Sequence, residues 1–349
     1  MLQKFKIEIP DLNYWKRQIK CQDACPVHTD ARGYVRAIAE GDYKKAYAIA
    51  RGPNPLASIC GRICGAPCEA SCRRGDIDRP IAIRALKRTA CERYGAETKP
   101  LYPESAVRQA AEDSEEAATN SDIDEIIALL DAFDRDSLFS RKDSQSVSRK
   151  DSAPTAAGGE SLRRPITDAR QIAIIGSGPA GLACAHDLAL MGFVPVIFEM
   201  EPVAGGFLYL GVPPYRLPRE LISAEIEVIK RLGVEIRCGV KVGKDVAFDE
   251  LRRNFAAVVI AVGAKYSRGL PVKNSNAPGV YGGVEFLRSV TLKEPLELGS
   301  RVIVIGGGNV AYDVARTVLR QEEYDVARSA LRYGTVKEVH LCCLESLEE

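Results

Sequence analysis

Residues 171–199 constrain the fold more than any other stretch. Residues 171–175 (QIAII) form an apolar run of strand character, and Gly176-Ser177-Gly178-Pro179-Ala180-Gly181 follows without a spacer. A helical pattern continues through Met191 to a stop at Gly192, residues 194–198 read as a second strand, and Glu199 closes it. Gly176 permits the tight turn, Gly178 lets backbone approach a pyrophosphate, and Gly181 lets helix pack closely on strand. The helix N-terminus supplies free N–H groups and partial positive charge for phosphates, and Glu199 is placed to accept from ribose hydroxyls. The expectation is a Rossmann-like dinucleotide site.

A related pattern recurs. Residues 301–305 (RVIVI) run into Gly306-Gly307-Gly308-Asn309-Val310-Ala311, then a helix through Arg320 with more helix to Tyr333, and a strand at 336–344. Between the two patterns lie Gly205-Gly206, the segment FLYLGVPPYRLP at 207–218, a helix near 220–232, and strands near 234–237 and 257–262, the last ending in Gly263. Two nucleotide crevices fit a flavoenzyme reduced by a nicotinamide better than a simple dehydrogenase. No C-x2-C pair lies between them, which argues against a disulfide reductase, and His28, His186 and His340 form no spaced set.

Upstream, Cys21, Cys25, Cys60, Cys64, Cys68 and Cys72 fall in two tight groups, and Pro26 follows Cys25. Thiolates in such density, with a Cys-Pro after the first pair, point to iron–sulfur ligation ahead of zinc, whose sites favour C-x2-4-C pairs with a His ligand or a second matched pair and use only four donors. Buried free or disulfide cysteines are the third reading. Asp30 and Asp42 are placed to cap helices over 30–40 and 42–51, which would return the first cysteine group to the second. Gly61, Gly65 and Pro67 argue against one continuous helix through 60–72, and a further helix is expected over 81–93.

Charge is balanced overall, with 48 basic and 47 acidic residues, so nothing global points to nucleic acid. Residues 1–94 carry 18 basic against 10 acidic side chains, which suits anionic clusters and phosphates. Residues 95–168 carry 9 against 16 and read as an acidic disordered linker holding one amphipathic helix at 121–133. With no signal sequence or membrane span legible, the eleven cysteines suggest a reducing, cytoplasmic setting. The domains expected are a helical cysteine domain at 1–94, the linker, a first α/β unit at 169–298, and the start of a second at 299–349.

This order of motifs, from the cysteine groups through GSGPAGL, GVPPYRLP and AVGA to GGGNVAYDVAR, resembles the small (beta) subunit of glutamate synthase and its relatives. The resemblance covers about 20–94 and 170–349. It implies an α-helical iron–sulfur domain followed by two Rossmann-like, doubly wound units, the second incomplete. It also implies [4Fe-4S] in the first domain, FAD at Gly176, Ser177, Gly178, Pro179, Ala180, Gly181, Glu199, Gly205, Gly206, Leu208 and Gly263, and NAD(P)H at Gly306, Gly308, Asn309, Val310 and Ala311. By family position Cys25, Cys64 and Cys68 are ligands, and Cys21, Cys60 and Cys72 compete for the fourth place. The family's additional upstream C-x2-C is absent, so one cluster is expected rather than two. Where NADPH-using relatives place paired arginines, this chain has Leu344-Glu345-Ser346, and Glu345 favours NAD(H) over NADP(H). The family's nicotinamide domain continues beyond position 349, so a redox partner subunit is expected to complete the fold, ahead of truncation. The function implied is electron transfer between NAD(P)H, FAD and iron–sulfur. The alternative is a non-catalytic electron-transfer or scaffold subunit that binds no nicotinamide.

Overall fold

The computed structural model describes residues 18–96, 170–324 and 336–343, together with Tyr14. The expected linker helix at 121–133, Trp15 and Glu345 lie outside these residues. The chain divides into two compact units, one containing residues up to 171 and the other most of the chain beyond it. Each is taken by itself.

The first unit is helical. Its elements are α1 (Lys20–Asp23), α2 (Ala31–Ala39), α3 (Tyr43–Arg51), α4 (Ala57–Ile63), α5 (Pro67–Ala70) and α6 (Ile83–Tyr94), with a 3-10 turn at Arg73–Asp76. The expected caps are present: Asp30 accepts from Gly33 N–H and Asp42 from Lys45 N–H, each at 2.9 Å. Such caps satisfy backbone donors that a helix start leaves open. Ala31, Tyr34 and Ala37 of α2 pack with Ala46 and Ala50 of α3 and Ile83 and Ala90 of α6. Alanine at these positions lets the helices approach closely.

The cysteine-rich run is broken, as its glycines and proline suggested, but not at Gly61. That residue sits within α4, where a β-carbon would stand 3.0 Å from the Cα of Arg88 on α6. Its role is close helix packing, which overrides its low helix propensity. Pro67 instead opens α5, at a position that needs no backbone donor.

The second unit holds two parallel sheets. The first has the order β3 (Glu235–Cys238), β2 (Val194–Glu199), β1 (Gln171–Ile175), β4 (Ala257–Ile260). Ile172 registers with Ala257 and Val196 with Glu235. Helices α7 (Pro179–Leu190), α8 (Phe207–Leu210), α9 (Arg219–Arg231) and α10 (Phe248–Asn254) connect these strands. In the second sheet β5 (Arg301–Ile305) pairs with β6 (Glu338–Cys342). Helix α11 (Gly283–Leu292) precedes β5, and α12 (Asn309–Tyr324) follows it. Phe286, Leu287, Val304, Ala311 and Val318 form the core beneath this sheet. The expected continuation of α12 to Tyr333 lies outside the described residues. Helices α10 and α11 were not foreseen.

Candidate functional site

The cysteine module gathers its thiols on the short elements. Cys21 lies in α1, Cys60 in α4, Cys64 caps that helix, Cys68 lies in α5 and Cys72 just beyond it. Cys25 sits in a loop clamped at both ends: the Gln22 side-chain amide donates to the His28 carbonyl at 3.1 Å, and His28 Nδ1 lies 3.3 Å from the Gln22 carbonyl. Arg84, in the first turn of α6, ties the second group together. Its guanidinium donates to the Cys64 carbonyl at 2.5 Å, and its N–H donates to Glu69 at 2.7 Å.

The thiols act on one another: Cys60 and Cys68 each sense Cys25 and Cys64, and Cys21 senses Cys72. Burial pushes the Cys60, Cys68 and Cys21 thiols up. Burial also opposes ionisation of Cys25, but the N–H and hydroxyl of Thr29 and the Lys87 charge outweigh it and hold that thiol below its ordinary value. A second sulfur, Cys64 Sγ, accepts from the Ala66 N–H at 3.4 Å. The contacts at Cys25 favour thiolate, the form that binds metal. Among the described residues, no three His, Cys, Asp or Glu side chains converge tightly enough to hold a metal ion as they stand.

The first glycine turn is built as expected from sequence. Gly176 has φ +103° and donates to the Phe198 carbonyl at 2.8 Å. A β-carbon on Gly181 would overlap the Gly176 carbonyl oxygen, so helix and turn meet with no room for a side chain. Gly178 differs, since a β-carbon there would meet nothing within 4 Å on its outer side. That open backbone stands at the start of a twelve-residue helix, an end whose unpaired N–H groups and dipole favour an anion. Gly206 comes up against it; a β-carbon on Gly206 would lie 2.7 Å from the Gly178 Cα. Leu208 is buried behind this turn, and Gly263 stands past the end of β4 with φ +67°.

Glu199 is buried at the tip of β2. Its Oε2 accepts from the Ser177 N–H at 2.9 Å and the Ser177 hydroxyl at 2.7 Å, and its Oε1 from the Glu201 N–H at 2.8 Å. The carboxylate therefore fixes the glycine turn, and each of its oxygens has further lone-pair capacity to accept.

At the second turn, Gly306 has φ +129° and donates to the Cys342 carbonyl at 2.7 Å. Gly308 has open space beside it, Asn309 and Val310 are exposed, and Ala311 is buried in the core under β5. Sequence reading missed the link between the two turns. From the GVPPYRLP segment, Arg216 donates to Asp313 of α12 at 2.5 Å, the Tyr215 hydroxyl lies 3.4 Å from the same carboxylate, and Arg320 stacks on the Tyr215 ring. Arg219 donates to the carbonyls of Leu208 and Val212 and reaches Thr291 on α11.

Comparison with known proteins finds two families along the chain. Residues 16–99 match the family described as dihydropyrimidine dehydrogenase domain II, 4Fe-4S cluster, and residues 170–340 match the pyridine nucleotide-disulphide oxidoreductases. The chain is 38% identical to the NADP(+)-dependent formate dehydrogenase subunit beta of Moorella thermoacetica, over 88% of this chain and 38% of that protein. It is 32% identical to the NADPH-Fe(3+) oxidoreductase subunit beta of Geobacter sulfurreducens, over 86% of this chain and 37% of that protein. The small chain of the NADPH glutamate synthase of Escherichia coli is 28% identical, over 86% of this chain and 54% of that protein. The chain thus spans about two fifths of the length of the first two relatives. Among the described residues, no helix is long and apolar enough to cross a membrane.

Proposed function

The chain belongs to the FAD/iron–sulfur oxidoreductases that join a 4Fe-4S module to a pyridine nucleotide-disulphide oxidoreductase module, and from that premise we propose that it moves electrons between a nicotinamide nucleotide, FAD and an iron–sulfur cluster as a subunit of a larger redox assembly. The carrying observation is the open backbone at Gly178, at the start of α7 and walled by Gly206 and Glu199. Bound there, a flavin would accept a hydride as an electron pair and release single electrons, which is the exchange such a chain requires.

The residues fit these groups. Gly176, Ser177, Gly178, Pro179, Ala180 and Gly181 would hold the flavin pyrophosphate, with Glu199 on the ribose side and Gly205, Gly206, Leu208 and Gly263 toward the ring. Gly306, Gly308, Asn309, Val310 and Ala311 would hold the nicotinamide nucleotide. Glu345 supports NADH, because a carboxylate accepts from ribose hydroxyls and repels a 2′-phosphate; the relatives above carry NADP in their names, so the preference is open to direct comparison. Cys25, Cys64 and Cys68 would hold the cluster, with the fourth place falling to Cys60, Cys21 or Cys72; Cys60 senses both Cys64 and Cys25. A four-iron cluster spreads its thiolates far wider than a single ion does, which suits donors that do not converge on one point.

Anaerobic purification followed by flavin, iron and sulfide counts tests the cofactors. Bleaching of the flavin absorbance by NADH or NADPH, alone and with partner subunits added, tests the electron path. Protein free of both flavin and iron would overturn the proposal.

A further inference from the structure

Lys87 projects from α6 into the cysteine module and is only 9% exposed. Lysine is almost never buried to this degree without a counter-charge, because an isolated buried ammonium is costly. No carboxylate among the described residues pairs with Lys87. Its Nζ lies 5.8 Å from the centre of the Tyr34 ring, which is itself buried and senses Cys68, Cys25 and Cys21. The Lys87 charge acts on Cys25, Cys60 and Cys68. A buried cation thus lies beside an aromatic face with its charge reaching three of the thiols, while the carboxylates that act on thiols of the module, Glu69 and Asp30, form no ion pair with it.

We propose that Lys87 is the fixed counter-charge of the iron–sulfur cluster and sets how readily that cluster accepts an electron. This rests on the cluster reading above. A cluster held by these thiols would take one electron from the flavin on reduction, with no bond made or broken and no proton moved. The reduced centre carries one more negative charge than the oxidised one. A nearby ammonium in a poorly screened interior therefore stabilises the reduced state more than the oxidised state and raises the reduction potential. Lys87 is a positioning and tuning residue, not a ligand.

The test uses the full chain purified without oxygen, with iron and sulfide counted and the cluster's electron paramagnetic resonance signal followed during a potentiometric titration. Lys87→Met and Lys87→Gln should keep their iron and shift the midpoint to more negative potential, lowering the reduced-to-oxidised ratio at a fixed potential roughly tenfold, about 59 mV for one electron. Lys87→Arg should stay close to wild type. If both neutral variants lose iron while Lys87→Arg retains it, the need for a positive charge beside the anion is also upheld. A neutral variant with full iron and an unmoved midpoint overturns the proposal, as does iron loss from all three variants with helical content intact. Wild-type protein without iron would overturn the cluster reading itself, before Lys87 is in question.

Discussion

Arg288 and Glu201 meet face to face across 87 residues of chain, with Nε and Nη2 of the arginine donating to the two carboxylate oxygens at 3.0 and 2.9 Å. Lys265 reaches the same carboxylate at 2.7 Å. Glu201 stands two residues beyond Glu199, and its own N–H donates to Glu199. The network therefore anchors the tip of β2 to α11 and to the loop after β4.

The Arg288 hydrogen bonds, helped by Lys265 and opposed by burial, hold the Glu201 carboxyl at about 2 against an ordinary 4.5. A carboxyl lowered on folding adds stability that is complete above its unfolded value and is lost as pH falls through the folded one. Thermal stability should accordingly decline between about pH 5 and pH 2. Glu201→Gln should remove this part of the decline and cost on the order of 2 kcal/mol at neutral pH, because two cations lose their partner. Denaturant melts of both proteins from pH 7 downward check this; parallel curves would refute it.

Two glycines of the first turn should behave in opposite ways. Gly181→Ala forces a β-carbon into the Gly176 carbonyl, and the protein should lose roughly 3 kcal/mol or fail to fold. Gly178→Ala meets only open space within the chain and should melt within about 1 kcal/mol of wild type. It should nevertheless bind FAD at least tenfold more weakly, because the added methyl occupies the pyrophosphate cradle. Flavin titration of folded Gly178→Ala protein decides the point.

Asp313→Asn should leave flavin content unchanged and slow flavin reduction by nicotinamide about tenfold or more. The Arg216 contact holds α12 against the GVPPYRLP segment, and small misplacements of reacting groups carry large rate penalties. Stopped-flow absorbance on the complete assembly measures this, with Arg216→Met expected to give the same defect and the double variant no further loss.

Cys64→Ser should lose most of its iron, whereas Cys91→Ala should keep it and cost about 1 kcal/mol. Cys91 is fully buried on α6 among helix-packing residues and belongs to neither of the two cysteine groups. Iron counts beside thermal melts separate the two effects.

Much of this was legible because it is local. Asp30 and Asp42 announce α2 and α3 within a single turn each, and the strand–glycine–helix order at 171–190 follows from backbone demands that few residues meet. What escaped was settled at a distance. Helix α11 carries the valines and threonine of a strand former (GVEFLRSVTL), and only the packing of Phe286 and Leu287 under β5 makes it helical. Arg216 and Asp313 lie 97 residues apart, and neither position carries a pattern that names the other. Gly61 looked like a breaker because what it admits, the backbone of α6 at Arg88, is 27 residues further along.

The alanine-lined packing of α2, α3 and α6 has a bearing on how this protein ages. None of the six candidate donor thiols is among the fully buried residues of that packing, which is closed by Tyr34, Ile83 and small side chains. If a cluster is held by these thiols, of which Cys21 and Cys68 rest against the core without being part of it, its loss should leave the housing standing, and helical content followed through iron removal and reloading should stay constant.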